Sequence, residues 1–426
     1  MNGRQEHSVS PAELHRLHTV YYDTPDSRLA RWGCCLRFQR GEGWTLKIAV
    51  PYELNGLVLG EHNFPGEGTE IPAGVLDLGT AYFRGDVPAP VPELRALRTS
   101  RQVVADDGRG VANVAEDDVR AVGACSCESE FGAPVVGSQS SVGDVVHAAF
   151  AQSVDQIVRL DAQLRVQPDE DVVHHARVAV RRLRSHLRAF LPVLDAHGAR
   201  ALCERLSWLQ DGLSEARDAD VFLAGMSRLG ESLPETDRRA LEHVLLPFRE
   251  AREHAYQRFG AMLREERYVA LLRDIVDAAK RPLLATSATG AAWDAAPALV
   301  SDAWSTLSKR VRRRTKPPSD RDLHRIRIAA KRVRYLAEAI APVAGYFVRR
   351  LAQSAERLQT VLGEQHDAVV ACEWLRTIAA DDERAFVAGE LAAGANATGL
   401  DARGDWKKAW RAAKRCRRAV EAGPMR

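Results

Sequence analysis

The chain has 426 residues, and a composition of 46% hydrophobic and 27% charged residues excludes extensive disorder and a collagen-like fibre. At about 100–200 residues per domain, this length predicts two or three domains. The net charge of +3 hides an asymmetry between two parts of the chain. Residues 1–140 hold 13 basic and 19 acidic residues, whereas the remaining residues hold 47 basic and 38 acidic residues. The excess of basic residues predicts an anionic partner for the second part.

The N-terminal part is predicted to be β structure. Its first residues, MNGRQEHSVS, lack the apolar segment of a signal peptide. Residues 18–50 contain the β-rich runs HTVYYD and WTLKIAV with turn-forming residues between them, and shorter strand-like runs continue to about residue 122. Residues 132–143, GAPVVGSQSSVG, are small and polar and predict a linker.

From Asp144 onward the apolar residues recur at helical spacing, which predicts an all-α second part. No apolar run reaches about 18 residues, so no membrane span is expected. The seven cysteines include Cys34-Cys35 and Cys125-x-Cys127, neither of which has the C-x₂₋₄-C spacing typical of zinc sites. We therefore expect free thiols in a reducing cytoplasm.

The helical part repeats its own sequence. The positions His174, Arg177, Arg181, Arg182 and Arg184 recur 150 residues later as His324, Arg327, Lys331, Arg332 and Arg334. Downstream, Leu209, Leu213, Asp218 and Val221 recur 149 residues later as Leu358, Leu362, Asp367 and Val370. Two matches at nearly one offset predict two related helical bundles, at about 144–285 and 286–426, that face each other about a pseudo-twofold axis.

Each copy of the repeat carries a cationic stripe. At about 100° per residue, one helix face collects His174, Arg177, Arg181, Arg184 and Arg188, and its counterpart collects His324, Arg327, Lys331 and Arg334. Clustered arginines repel one another unless an anion neutralises them, and their forked donors favour phosphate. A phosphate would also push the histidines towards their charged form. The alternative interpretation is a solvated helix face or structural ion pairs, with the histidines as satisfied buried imidazoles.

Two further basic segments occur, one just before the second motif and the other near the end of the chain. One comprises Lys309, Arg310, Arg312, Arg313, Arg314 and Lys316. In the other, Lys407, Arg411, Lys414 and Arg418 fall on one helix face close to Trp406 and Trp410. Both support an anion-binding groove.

The segments VVHHARVAVRRLRSHLRAF, ARDADV, LHRIRIAAKRVRYLAEAI and LQTVLGEQHDAVV together resemble the CHAD domain, the conserved-histidine α-helical domain. The resemblance covers roughly 140–426 and implies two pseudo-symmetric four-helix bundles that bind inorganic polyphosphate without cleaving it. The family's binding residues carry over onto His174, Arg177, Arg181, Arg182, Arg184, His324, Arg327, Lys331, Arg332 and Arg334. Lys331 stands where the first copy has arginine, which keeps the charge but loses the bidentate fork.

The segment YYDTPDSRLARWGCCLRFQRGEGWTLKIAV resembles the opening third of a CYTH, or triphosphate tunnel, domain. This resemblance implies an antiparallel β tunnel whose basic residues hold triphosphate and whose glutamates bind a divalent metal. The basic lining carries over onto Arg37, Lys47, Arg98 and Arg101, and the metal-binding carboxylates onto Glu61, Glu128 and Glu130. The first-strand Glu-x-Glu-x-Lys has no counterpart and Gln39 replaces the second arginine of Arg-x-Arg, so we expect a tunnel that has lost its first strand and last portion and does not catalyse.

We therefore predict an α+β protein of two domains, a partial antiparallel β tunnel or barrel at 1–131 and an all-α pair of pseudo-symmetric four-helix bundles at 144–426, joined by the linker 132–143. Its expected function is to bind inorganic polyphosphate or another polyanion in the cytoplasm, in association with polyphosphate granules, without a cofactor, catalytic residue or metal ligand. One alternative is a triphosphatase or polyphosphatase that depends on a divalent metal such as Mg²⁺. The other, RNA or DNA binding, is less favoured because the stripes contain no aromatic residue for base stacking.

Overall fold

The computed structural model describes residues 8–9, 13–17, 19–52, 56–68, 70–91, 96–104, 110–119, 129–166, 168–231, 233–378 and 382–422. The chain divides into two compact units, Met1–Glu130 and Phe131–Arg426. The first contains two antiparallel sheets and the second is helical.

The strands of the first unit are β1 (Ser8–Val9), β2 (Glu13–Leu17), β3 (Thr19–Asp23), β4 (Cys35–Gln39), β5 (Gly43–Tyr52), β6 (Gly56–Phe64), β7 (Ala89–Pro90), β8 (Ala96–Val104) and β9 (Gly110–Val119). One sheet has the order β6-β5-β4-β3-β7. In the other sheet β8 pairs with β1 and β2 along one edge and with β9 along the other. Three short helices complete the unit: α1 (Arg28–Arg31), α2 (Ala73–Leu78) and α3 (Thr80–Phe83).

The larger sheet follows from the alternation of apolar residues in β3 to β5. Tyr22, Leu36, Trp44 and Leu46 are buried, and the rings of Tyr22 and Trp44 lie 4.6 Å apart. Strands also precede β3, although the sequence led us to expect the first strand of a tunnel to be missing. These strands, β1 (SV) and β2 (ELHRL), pair with β8 through backbone hydrogen bonds and contain no Glu-x-Glu-x-Lys, so the β region is consistent with the truncated tunnel-like domain that the sequence predicts.

The long helices of the second unit are α4 (Val142–Val166), α5 (Glu170–Ala189), α6 (Ala196–Gly230), α7 (Glu235–Met262), α8 (Glu266–Lys280), α9 (Ala292–Arg313), α10 (Asp320–Ile378) and α11 (Asp382–Ala422). A capping box starts α4, because the amide of Ser141 donates to the Asp144 carboxylate while the amide of Asp144 donates to the Ser141 hydroxyl. Gly345, at φ 75° and ψ −156°, breaks α10 into the segments 320–344 and 346–378.

The break in α10 reveals how the repeat is built. The segments 320–344 and 346–378 stand at the repeat offset from α5 and α6, which are separate helices joined by a turn. The helix α8 is additional to this pattern and packs against α4 and α6. The two copies share one apolar core, in which Phe222 of α6 lies 4.9 Å from Trp374 of α10 and packs beside Leu391 of α11. The helix α5 also packs against α10, and Arg181 of α5 reaches Tyr335 in the first segment of α10.

Candidate functional site

Two helices from different copies of the repeat bring four cations together. Arg177 and Arg181 lie on α5, and Arg327 and Lys331 lie on the first segment of α10. The Arg181 Nε donates a hydrogen bond to the Tyr335 hydroxyl of α10 over 3.1 Å. Burial lowers the pKa of Arg177, and the nearby charges of Arg181 and Arg327 lower this pKa further. We call Arg177, Arg181, Arg327 and Lys331 the central cation cluster.

Lys331 responds most strongly to the density of positive charge in the central cation cluster. Burial lowers the pKa of Lys331 from 10.5 to about 6, and the charges of Arg327, Arg181 and Arg177 add to the decrease. The charged amine is poorly solvated here and is repelled by three guanidinium groups. Lys331 is therefore neutral at pH 7 unless an anion compensates its charge.

Two aspartates at equivalent positions of the repeat partly neutralise the cluster. Asp218 forms an ion pair with Arg177, whose Nη2 lies 3.2 Å from Oδ1. Burial lowers the pKa of Arg327, and Asp367 opposes this decrease. Burial also raises the pKa of Asp367, against the effect of Arg327, Arg177 and Lys331. The two carboxylates thus carry less charge than the three arginines of the central cation cluster, even with Lys331 neutral.

The two copies of the repeat differ beneath the arginines. Arg177 Nε donates to the Ser214 hydroxyl over 3.1 Å. Gly363 stands 149 positions after Ser214, and a Cβ placed there would lie 3.4 Å from Arg327 Nη2. Arg327 thus lies over a glycine, and no described residue accepts a hydrogen bond from its buried Nε. A buried donor without a partner costs free energy, and an oxygen of a bound anion would remove that cost.

Three histidines lie beside the central cation cluster. His174 is exposed on α5, whereas His324 is partly buried and its ring centroid lies 4.5 Å from that of His366. Burial lowers the pKa of all three, and nearby positive groups lower it further. Only a bound anion could therefore push them towards the charged form that the sequence led us to expect.

His366 did not emerge from the sequence analysis. Its position corresponds to Arg217 at the repeat offset of 149, so a search for identical residues in both copies passes over it. Arg217 and His366 share a side chain that can carry positive charge, and each directly precedes an aspartate, Asp218 or Asp367. A search for similar rather than identical residues would have found His366.

Arg184 and Arg334 occupy equivalent positions but are used within their own copies. Arg184 is buried and donates to the Ser207 hydroxyl of α6 over 3.1 Å. Arg334 pairs with Glu338 at 2.7 Å and with Glu356 at 2.8 Å. In each predicted stripe, the residues that belong to the central cation cluster therefore end at Arg181 or Lys331, about one turn before Arg184 or Arg334.

The remaining predicted arginines lie at other contacts between helices. Arg182 is 3.6 Å from Glu338 of α10. Arg332 donates to the backbone carbonyl of Arg188 over 3.1 Å and pairs with Asp302 at 3.2 Å. The side chain of Arg188 is exposed. Arg182 and Arg332 thus connect the two copies rather than joining the central cation cluster.

In the first unit, the predicted triphosphate-binding residues are partly paired with each other. Glu61 of β6 lies 3.0 Å from Lys47 and 3.9 Å from Arg37. Arg98 and Arg101 belong to β8, and their side chains lie outside the described residues. The carboxylate of Glu61 therefore neutralises the basic side chains beside it.

Glu130 does not suit the role of metal ligand that the sequence suggested. Its buried carboxylate forms an ion pair with Arg84 and accepts a hydrogen bond from Trp32 Nε1 over 2.6 Å. These partners occupy the oxygens that a metal would need. Glu128 lies outside the described residues. No group of three or more His, Cys, Asp or Glu side chains suited to a metal ion occurs in the described part of the chain.

None of the described helices is long and apolar enough to cross a bilayer. In comparisons with known proteins, the family model of the CHAD domain matches residues 148–376. The uncharacterized protein Rv2226 of Mycobacterium tuberculosis (strain ATCC 25618 / H37Rv) is 27% identical over 86% of this chain and 83% of its own length.

Two solved structures are also similar. PptA from Streptomyces chartreusis has a TM-score of 0.53 and 19% identity, over 64% of this chain and 100% of its own, which is a similarity of fold alone. The CHAD domain from the plant Ricinus communis has a TM-score of 0.49 and 23% identity, over 69% of this chain and 96% of its own.

Proposed function

Because the chain belongs to the CHAD domain family, we propose that it binds inorganic polyphosphate through the central cation cluster and does not cleave it. The observation that carries this proposal is the convergence of Arg177, Arg181, Arg327 and Lys331 from two copies of the repeat. Their mutual repulsion costs free energy that a polyanion would offset. Binding would also supply an acceptor for the unpartnered Nε of Arg327.

The chemistry of the cluster favours a chain of phosphates over a simple carboxylate or a nucleic acid. Three of the four cations are arginines, whose planar forks match phosphate oxygens two at a time. Tyr335, the aromatic residue that Arg181 contacts, is 1% exposed and accepts a hydrogen bond from Arg181. It offers no face for base stacking, which is the usual source of affinity for single-stranded RNA or DNA.

The first unit is proposed to be a tunnel-like domain without phosphatase activity. Divalent-metal catalysis needs carboxylates that hold the metal and leave it open to substrate and water. Of the candidates that the structure describes, Glu61 pairs with Lys47, and Glu130 pairs with Arg84. These residues do not fit a catalytic metal, and we derive no hydrolytic step from them.

A competition titration over a salt series tests the proposed function. Labelled polyphosphate is bound to the full chain and displaced by unlabelled polyphosphate, tripolyphosphate or RNA. We expect long polyphosphate to compete best and affinity to fall steeply with salt, since each neutralised phosphate releases counterions. RNA that displaces polyphosphate at equal phosphate concentration would overturn the assignment, as would affinity that does not depend on salt. With polyphosphate as ligand, a fluorescent fusion is expected to concentrate at polyphosphate granules in the cytoplasm.

A further inference from the structure

A second basic surface lies on α11. We propose that Lys407, Arg411, Lys414 and Arg418 form an auxiliary site for the distal part of a long polyphosphate chain whose first part occupies the central cation cluster. We call these four residues the α11 stripe. The inference rests on the proposed function and specifies which ligands the protein prefers, namely chains long enough to reach both surfaces.

The α11 stripe forms one continuous exposed face. At about 100° per residue the four side chains fall within a sector of about 60°, and all four are exposed. The opposite face of the helix is apolar and includes the buried Trp406, Ala413 and Val420. At about 1.5 Å per residue the stripe extends for about 16 Å, which is long enough to contact several consecutive phosphates.

The four cations lack the partners that neutralise their neighbours. Arg403 pairs with Asp320 at 2.7 Å, and Arg417 pairs with Glu421 at 3.0 Å. Among the described residues, none forms an ion pair with a member of the α11 stripe. Like charges three or four positions apart destabilise a helix. The α11 stripe thus costs stability that an external polyanion would restore.

The fold itself does not require this stripe. In α7, the counterpart of α11 in the first copy of the repeat, the residues 149 positions before Lys407 and Arg411 are Arg258 and Met262. Of these, Arg258 forms an ion pair with Glu215. At these two positions the first copy therefore has one neutralised cation and one apolar residue, and its helix α7 ends at Met262, so Lys414 and Arg418 have no counterpart on it. Structural need does not explain the α11 stripe, which favours a role in binding.

Adjacent cations on α9 widen the surface. Trp304 of α9 stacks on Trp410 of α11 at 5.0 Å and 11°, and the Arg314 guanidinium lies 5.2 Å from the Trp406 ring. These contacts place the C-terminal end of α9, on which Arg312 is exposed, beside the start of the α11 stripe. Because the two stacked indole rings cover each other's inner faces, the surface suits phosphate groups better than unstacked bases.

The α11 stripe begins near the end of α10 that carries the site histidine. Arg403 contacts the Pro318 carbonyl as well as Asp320, the first residue of α10. Lys407 follows Arg403 by about one turn, and His324 follows Asp320 by about one turn. A polyphosphate chain that leaves the central cation cluster past His324 would therefore meet the start of the α11 stripe.

The test compares long polyphosphate with tripolyphosphate in the full chain carrying K407Q, R411Q, K414Q and R418Q together. We expect at least about a tenfold loss of affinity for the long chain, and a salt slope that is lower by about 3 if each lost contact removes about 0.7. Affinity for tripolyphosphate, which fills only the central cation cluster, is expected to change less than about twofold, since distant exposed charges are screened by salt.

A matched control removes the same charge elsewhere, by R200Q, R239Q, R349Q and R350Q, all at exposed positions. Equal losses of affinity in both quadruple variants would overturn the inference, because the loss would then depend on net charge alone. An equal loss of affinity for long polyphosphate and for tripolyphosphate would also overturn it, because the effect would then lie at the central cation cluster. A stripe variant that lost RNA but kept long polyphosphate would assign the stripe to nucleic acid and also overturn it. If the unsubstituted protein binds no polyphosphate, the proposed function fails, whereas a fully active stripe variant refutes only the auxiliary site.

Discussion

At the scale of single residues, Lys331 is expected to link binding to pH. Its pKa of about 6 lies far below the ordinary 10.5 because of burial and three neighbouring arginines. A bound phosphate would raise the pKa of Lys331. At a pH between the pKa of Lys331 in the free protein and its pKa in the complex, binding is therefore accompanied by the uptake of a proton. Affinity should then fall as the pH rises above about 6, by at most about tenfold per unit.

Isothermal titration in buffers of different ionisation enthalpy measures this proton uptake at pH 8. The control is Lys331→Arg, which stays charged in both states and is expected to take up close to no proton. An equal uptake by both proteins would assign the proton to another group. His174, His324 and His366 lie in the same area, and their pKa values are lowered from 6.5, so proton uptake that Lys331→Arg retains at pH 8 would be assigned to these histidines.

The same residue should reduce stability in the absence of anions. The unfolded state binds the Lys331 proton up to about pH 10.5 and the folded state only up to about pH 6. Stability contributed by this group therefore rises with pH across that window and is lowest below it. Lys331→Met is expected to raise Tm at pH 6 by about 2–4 °C per kcal/mol gained, and to lower polyphosphate affinity. A lower Tm for Lys331→Met than for the unsubstituted chain at pH 6 would contradict this account.

At the scale of elements, adjacent residues on α5 should differ sharply in binding. Arg181 lies in the central cation cluster, whereas Arg182 is near Glu338. We expect Arg181→Ala to weaken polyphosphate binding about tenfold, a typical effect of losing a charge-assisted hydrogen bond. Arg182→Ala should change affinity less than about threefold, consistent with a pair outside the cluster. Equal losses in a direct binding titration would mean that the helical wheel selects the wrong face.

The break in α10 depends on a glycine. Gly345 has φ 75° and ψ −156°, a region that L side chains rarely adopt. Gly345→Ala is expected to destabilise the helical unit by about 1–3 kcal/mol, measured by denaturant unfolding. Gly225→Ala is the matched control, because Gly225 lies within α6 and a Cβ there meets no atom within 4 Å. That change should be neutral or stabilising, and equal destabilisation by both would show that φ is not the cause.

Sequence patterns predicted these elements better than their contacts. The repeat offset predicted that α5 and the start of α10 are equivalent, and the wheel placed Arg177 and Arg181 on one face, which lies near Arg327 and Lys331 of α10. The wheel also placed Arg184 on this face, but Arg184 contacts Ser207 of α6, a contact that a single helix period does not encode because it depends on how helices pack. The partners of Glu130 were equally hidden, since Arg84 and Trp32 are 46 and 98 positions away.

At the scale of the whole molecule, the first unit is expected to be stabilised rather than activated by Glu130. Glu130→Gln leaves the buried Arg84 with a weaker partner, and breaking such a pair costs about 3–5 kcal/mol. The expected result is a lower unfolding temperature for the first unit, with polyphosphate affinity unchanged in the full chain. Phosphate release from tripolyphosphate with Mg²⁺ should stay at background before and after the change. Turnover that disappears with Glu130→Gln would instead identify a working catalytic site.

The two copies of the repeat should bind one short phosphate chain as a coupled unit. Arg177 and Arg181 lower the pKa of Lys331, so their removal lets Lys331 gain its proton and compensates part of the lost charge. At pH 8, R177Q/R181Q and R327Q/K331Q should each weaken tripolyphosphate binding, and the quadruple variant should lose about 1 kcal/mol more than their sum. At pH 5.5 Lys331 is already mostly protonated, so the loss of binding free energy in the quadruple variant should come closer to the sum of the losses in the two double variants. Losses that add at both pH values would mean that the two stripes act independently.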